Sequence, residues 1–304
     1  MKKILNFGCG AIAYNEKYIA VAGNKIGLID RATSKVCGTL TGKNNVTDLE
    51  IKDRYAYVKT TLGVYYMFDL TTQQLQCNGY CREKKNSNHD GKLYVYTTGT
   101  ILDVLSFKDD QYYFVKYDFT SRKCEKVCVA KSDFSCKDWW IDYQKRRAYI
   151  LFLEKCCLNH PKTNCYISVV NIDNFEIEVE MPIILEHGIM PIGLINTQSI
   201  LLNNMEIYDI FASAKKALDS DNYFKDASCG YFVRMNSDGN RNLILIFSKC
   251  VFVFDLITKK LCQSYACRYG DNAICIDGKI YIATWDGLFL SDVNQGTVNQ
   301  GTEL

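Results

Sequence analysis

Residues 64–74 read VYYMFDLTTQQ, a run of β-branched and aromatic residues closed by an Asp at position 69, with a Thr three residues further on at position 72. Side chains of this kind pack well on a pleated surface, so the run predicts a strand. The Asp69 carboxylate can accept backbone N–H bonds in an Asx-type turn, and the Thr72 hydroxyl can do the same more weakly, so the chain turns back after the strand. The pattern recurs as DRATSK at 30–35, DFTSRK at 118–123 and DLITKK at 255–260. In VYYMFD and in VFVFD (251–255) both alternating faces are apolar, which a sheet with one wet face would not require.

Seven runs of this type end in Asp, at Asp30, Asp69, Asp118, Asp173, Asp209, Asp255 and Asp292. Their spacings are 39, 49, 55, 36, 46 and 37 residues, centred on the length of a four-stranded propeller blade. Counting from Asp292 through the C-terminus and on from Met1 to Asp30 gives 42 residues, one more ordinary spacing. A ring of seven units therefore accounts for residues 1–304 as a single domain. A second strand precedes five of the runs: YIAVAG (18–23), YAYVKTT (55–61), RAYILFLEK (147–155), NLILIF (242–247) and KIYIATWD (279–286). Three prolines suit a strand-dense chain, because proline removes a ladder donor. Asp173 and Asp292 lack the turn pattern, and IFASAKKA at 210–217 reads as a helical turn, so the fourth, fifth and seventh units are the least regular.

Paired strands ending in Asp, followed by a turn with Thr and Lys, resemble the repeats of WD40-like and YVTN/quinoprotein-like β-propellers. The resemblance covers nearly the whole chain and is one of architecture. The Trp-Asp dipeptide of WD40 repeats is missing from the seven Asp positions, and its one occurrence, Trp285-Asp286, falls between two strands of the last unit. Such propellers close by a blade shared between the termini. The resemblance thus implies an all-β, seven-bladed β-propeller in which MKKILNF supplies the outer strand of the last blade.

Thirty-six basic against thirty-four acidic residues give a formal charge of +2, no basis for nucleic-acid or anionic-membrane binding. The longest apolar runs fall far short of the roughly 18–20 residues that span a bilayer, so no membrane insertion is expected. Too few apolar residues separate Lys3 from Cys9 for a signal peptide, so Met1 reads as the start of an unexported, cytoplasmic protein. Fifteen cysteines, odd in number and without a CxxC pair, read as small thiols filling strand positions.

Candidate chemistry is sparse. Three histidines, His89, His160 and His187, are the only imidazole bases, and none sits in a motif. The one metal-like cluster is Cys156, Cys157, His160 and Cys165, with ligand types zinc prefers but poor spacing, and it reads as a hairpin loop. Neither glycine-rich phosphate-binding pattern is present, so no nucleotide and no other cofactor is expected. Trp139 and Trp140 point to opposite sides of a strand; both read as structural, one packed and the other toward a channel or blade edge.

These features predict a non-catalytic protein-binding scaffold, a subunit of a larger assembly whose partner is another protein. Rigid rings with variable loops suit recognition. By analogy with propellers, the expected contact face carries the inter-blade loops and the turns between each blade's middle strands: residues 82–90, 157–164, 186–189, 219–227 and the Trp285 turn. Arg82, Lys84, Lys85, His89, His160 and Trp285 are its candidate contact residues. The competing reading is a propeller enzyme, of hydrolase or dehydrogenase type, or a small-molecule sensor, using the central channel.

Overall fold

The Asp-ended runs are the third strands of seven four-stranded antiparallel sheets in the computed structural model, which describes residues 1–41, 46–81, 91–130, 133–155, 162–218 and 227–293. Blades 1 to 6 span residues 9–41, 46–80, 94–130, 134–186, 191–217 and 232–266, and in each the four strands, a to d, pair in chain order. Blade 7 takes strands a to c from 270–292 and strand d from Lys2–Leu5, so the N-terminal strand completes the last blade as expected. The fold is that of an all-β, seven-bladed β-propeller.

Residues divide into two compact units. One unit holds blades 1, 2, 6 and 7; its core lies between successive blade faces. Ala20, Ala22, Ile26 and Leu28 of blade 1 pack with Leu49, Ala56, Val58 and Phe68 of blade 2. Leu5, Tyr281 and Leu288 of blade 7 pack with Ile19, Val21 and Ile29 of blade 1. The other unit runs from Asn78 to Ala217, with Thr61–Val64, and so holds blades 3 to 5 and the end of the last strand of blade 2. There Phe114 and Leu102 of blade 3 meet Trp139, Ile150 and Phe152 of blade 4.

Burial follows strand position. Strand b of blade 3, Thr100–Ser106, is buried along its whole length, whereas strand d of blade 4, Ile177–Glu186, is mostly exposed. Middle strands lie between two neighbouring faces, and this is why their sequences are apolar on both sides.

The turns after strand c show why Asp ends them. Asp30 Oδ1 accepts the Thr33 N–H at 2.8 Å and its hydroxyl at 2.7 Å. Asp69, Asp118 and Asp255 accept N–H bonds from Thr72, Ser121 and Thr258. Four residues after each Asp the backbone enters the left-handed region, at Ser34, Gln73, Arg122 and Lys259, which closes a type I turn with a bulge.

Two irregular units are corrected by this geometry. Asp209 accepts the N–H groups of Phe211 and Ala212, Ser213 has φ 50°, and Ala214–Ala217 is strand d of blade 5, where the sequence suggested a helical turn. Pairing with strand Glu206–Asp209 overrides the local helical preference of this alanine-rich segment. In blade 4 the turn acceptor is Asn171, not Asp173: Asn171 Oδ1 receives the N–H groups of Asp173 and Asn174, and Phe175, four residues on, has φ 62°. Asp173 instead binds Arg146 Nε at 3.0 Å and the Tyr96 hydroxyl at 2.5 Å, and the Arg146 guanidinium holds its carboxyl below the usual range.

Gly287 opens strand c of blade 7 at φ 147°, and a Cβ there would run into the Leu5 carbonyl of the N-terminal strand, so only glycine lets strand d approach.

A further regularity is invisible in the sequence. In strand a of every blade the register slips by one residue, between Cys9 and Ala11, Val46 and Asp48, Val95 and Thr97, Cys136 and Asp138, Pro191 and Gly193, Phe232 and Arg234, and Gly270 and Asn272. Bulges of this kind re-aim side chains. Here they present Asp48, Asp138, Arg234 and Asn272 at one strand position.

Candidate functional site

Of the six contact residues expected from the sequence, Arg82, Lys84, Lys85, His89 and His160 lie outside the described residues, as do loop 219–226 and Cys156 and Cys157. Trp285 is described and is 62% exposed. The loop expected at 157–164 is already strand from Lys162, because Lys162 to Asn164 pair with Ile184 to Glu186. Cys165 is buried in that strand and its S–H points to the Ile183 carbonyl at 3.4 Å. His187 is exposed on the connection after strand d of blade 4, where Ile189 N–H closes a turn onto Glu186 O.

Trp285 occupies the two-residue turn between strands b and c of blade 7. Thr284 Oγ1 stabilises this turn, accepting the Asp286 N–H and donating to Gly287 O, both at 3.1 Å. The Trp285 N–H reaches the Tyr269 carbonyl at 3.3 Å, and the two rings stack with centroids 5.1 Å apart and planes 17° apart. Arg268 places its guanidinium 5.0 Å from the Tyr269 ring, extending the stack with a cation. Tyr269 adopts φ 56°, a left-handed conformation held by backbone bonds on both sides: Cys267 N–H to Lys249 O and Gly270 N–H to Ser248 O.

Ser248 also anchors the next aromatic. Its N–H donates to Tyr231 O at 2.9 Å and its Oγ accepts the Tyr231 N–H at 3.3 Å. Tyr231 is 66% exposed, and its neighbour Phe232 is partly exposed while packing edge-on against Phe247. A chain of backbone contacts thus fixes Tyr231, Tyr269 and Trp285, with Arg268 laid against Tyr269, at one end of blades 6 and 7. Sequence reading found Trp285 and missed the other three. YACRYGD (265–271) reads as an ordinary connection, and nothing in it marks which rings face solvent.

A second polar group lies on the strands a of the same unit. Arg234 donates from Nη2 to Thr47 O at 3.0 Å and has Nη1 3.9 Å from Asp48. Asn236 donates to Asn272 Oδ1 at 2.6 Å and to Ala273 O at 2.8 Å. Glu50 follows on the same face of its strand as Asp48, partly accessible but enclosed by protein. Burial first, and then the Asp48 charge, push its carboxyl from the ordinary 4.5 up to about 8.

The pH consequence has a definite sign. Folded Glu50 holds a proton between about pH 4.5 and pH 8 that the unfolded chain releases, so its contribution is full below this window and is lost as pH rises through it. The expected loss, discounted for partial solvent access, is on the order of 2 kcal/mol. Urea midpoints at pH 5 and pH 8 check this: Glu50→Gln is expected to be the more stable protein at pH 8 and to remove the decline. An unchanged pH slope in the variant counts against it.

Trp139 is buried, donates from Nε1 to Lys92 O at 3.1 Å and meets the Tyr94 ring edge-on, whereas Trp140 is half-buried beneath the Lys92 ammonium. Both indoles are packed, on opposite faces of the strand: Trp139 in the core shared with blade 3, and Trp140 against the core shared with blade 5, where the sequence suggested a channel or blade edge.

No helix among the described residues is long and apolar enough to cross a membrane. No family model matches the chain, and no curated protein sequence does. Solved structures do. The chain is similar over 97% of its length to 98% of a chain of Kuenenia stuttgartiensis hydrazine synthase, with a TM-score of 0.69 at 13% identity. Its likeness to the computationally designed protein Ika8 covers 95% of this chain and 97% of that one, with a TM-score of 0.58 at 10% identity. At such identities the comparisons speak to architecture alone, and with the seven four-stranded sheets they identify the chain as a β-propeller.

Proposed function

We propose that this propeller is a protein-binding scaffold of the cytoplasm, a subunit of a larger assembly, and that it docks a protein partner on the end of blades 6 and 7. The observation that carries this reading is the exposed set Tyr231, Tyr269 and Trp285, held by backbone bonds, with the exposed Arg268 against the Tyr269 ring. Trp, Tyr and Arg are the residue types that dominate interface energetics, because they bring large contact area at low entropic cost.

Affinity purification with quantitative mass spectrometry identifies the partner, and binding of that partner to variants tests the site. Trp285→Ala with Tyr231→Ala is expected to weaken binding at least about 100-fold, two hot-spot losses of about 2 kcal/mol each, while Phe211→Ala on the blade 5 turn leaves it unchanged. The opposite pattern overturns the reading.

A second reading, a small-molecule site on the strands a, is favoured by one observation, the upshifted Glu50 carboxyl beside Asp48, itself approached by Arg234, since shifted carboxyls gather at functional sites. Ligand-dependent thermal shifts that Glu50→Gln abolishes would favour it over the scaffold.

A further inference from the structure

The same cleft is built twice between neighbouring blades, and the two copies differ in charge. Between blades 1 and 2 it encloses about 430 Å³ and is lined by Leu40, Thr41, Phe68, Gln73, Gln74 and Leu75, none of them charged. Between blades 2 and 3 it encloses about 510 Å³, and its lining includes Gly79, Tyr80, Tyr117, Arg122, Cys124 and Lys126. The positions correspond. Phe68 and Tyr117 each directly precede the turn Asp, and Gln73 and Arg122 each take the left-handed position four residues after it. Leu40 and Gly79 are each the tenth residue after the Asp of their own blade. Passing from the first cleft to the second replaces a leucine by glycine and a neutral amide by a guanidinium, and it brings in an ammonium.

The walls of the second cleft are aromatic. A Cβ at Gly79 would fall 2.0 Å from the Tyr117 hydroxyl, so glycine lets that ring lie across the last strand of blade 2 as a floor. Tyr80, 57% exposed, forms a rim, and the Lys126 ammonium lies 4.2 Å from the Phe107 ring centroid and 4.7 Å from that of Tyr113. Arg122, Cys124 and Lys126 fall at every second residue and so emerge together on the cleft face. Among the described residues neither Arg122 nor Lys126 has an ion-pair partner, and no carboxylate lines the cleft. Neighbouring carboxylates are occupied elsewhere: Glu125 by the Lys116 ammonium at 2.5 Å, and Asp109 by the Tyr113 hydroxyl at 2.6 Å. The volume is that of a small-molecule site.

We propose that the cleft between blades 2 and 3 binds a small aromatic anion, a ring carrying a carboxylate, phosphate or sulfonate. The ring lies against Tyr80 and Tyr117, and the acid group meets Arg122 and Lys126 through charge-assisted hydrogen bonds. Aromatic walls without the two cations would take a neutral ring equally well, and cations without the walls would take any anion; their combination selects a molecule that is both. The cleft between blades 1 and 2, with Gln73 where Arg122 stands, lacks this charge. No residue is shared with the docking surface on blades 6 and 7, so the site stands or falls independently of that reading.

The test titrates the full-length chain with the dye anilinonaphthalene sulfonate, read by its fluorescence, and then displaces the dye with benzoate, phenyl phosphate, phenol or inorganic phosphate at equal concentrations. Saturable binding is expected, reversed by benzoate and phenyl phosphate, the stronger of the two naming the acid group. Phenol and inorganic phosphate, each with only half of the recognised chemistry, should displace it poorly. Arg122→Gln copies the residue that blade 2 carries at this turn position, so the fold should persist. It and Lys126→Gln should each weaken dye binding at least about tenfold at an unchanged melting temperature, whereas Lys126→Arg should keep it. Trp285→Ala, in the exposed aromatic stack, should leave binding as in the wild type. The proposal is overturned by no saturable binding, by binding that both glutamine variants keep or Trp285→Ala loses, or by displacement as strong with phenol as with benzoate.

Discussion

A chain lacking residues 1–8 is expected to melt roughly 10 °C or more below the full-length protein. The deleted segment contains strand Lys2–Leu5, which pairs with Leu288 to Leu290 and completes blade 7. Leu5 is buried against Val21, Ile29 and Leu288, and Phe7 packs beside it. Losing two such side chains costs about 2 kcal/mol each, and the broken ladder adds about 1 kcal/mol per net hydrogen bond. The sum, on the order of 5 kcal/mol or more, is a large share of the 5–15 kcal/mol that typically stabilises a fold. Deletion also bares the edge of strand Gly287–Asp292, so the truncated protein should associate through it, which size-exclusion chromatography would register. An unchanged melting temperature would remove the role assigned to the N-terminal strand.

Asp138→Ala should cost about 3–5 kcal/mol, read as a lower urea midpoint, whereas Asp138→Asn should cost less. The Asp138 carboxylate, 12% exposed, is 2.9 Å from the Lys92 ammonium. It also accepts the N–H groups of Trp139 at 2.8 Å and Leu194 at 2.9 Å. Lys92 precedes blade 3, Trp139 belongs to blade 4 and Leu194 to blade 5, so one side chain fastens three consecutive blades. Alanine leaves two N–H groups without an acceptor and a partly enclosed ammonium without its counter-charge, and such orphaned groups cost more than the bonds themselves. Asparagine keeps one acceptor oxygen, enough for one of the two N–H groups, and loses the other acceptor together with the charge. Equal midpoints for the alanine variant and the wild type would show that the carboxylate carries no such role.

The four turns with the full Asp and Thr or Ser pattern were legible because their chemistry is local: the carboxylate of Asp30 or Asp255 binds groups two to three residues away. Blade 4 misled for the same reason. Asn171 and Asp173 are both good turn formers, and only pairing with Ile177–Glu186 decides that Asn171 closes the turn while Asp173 is released to Arg146. The candidate site was less legible. Trp285 stood out by its residue type, but the exposure of Tyr231 and Tyr269 depends on Ser248 and Lys249, some 17 to 20 residues away in the chain, whose backbone groups hold both rings at the surface.

From the sequence alone come the all-β class, the count of seven and the meeting of the two ends in one blade, because each blade carries its own strand periodicity and turn signal and the spacing between signals survives without a structure. Tertiary structure alone decides the rest. The register slip in every strand a, the three-blade grip of Asp138 and the solvent-facing stack of Arg268, Tyr269 and Trp285 all depend on which segments meet across a blade or between blades. Such meetings join residues that no local pattern links, and it is packing between faces that sets them.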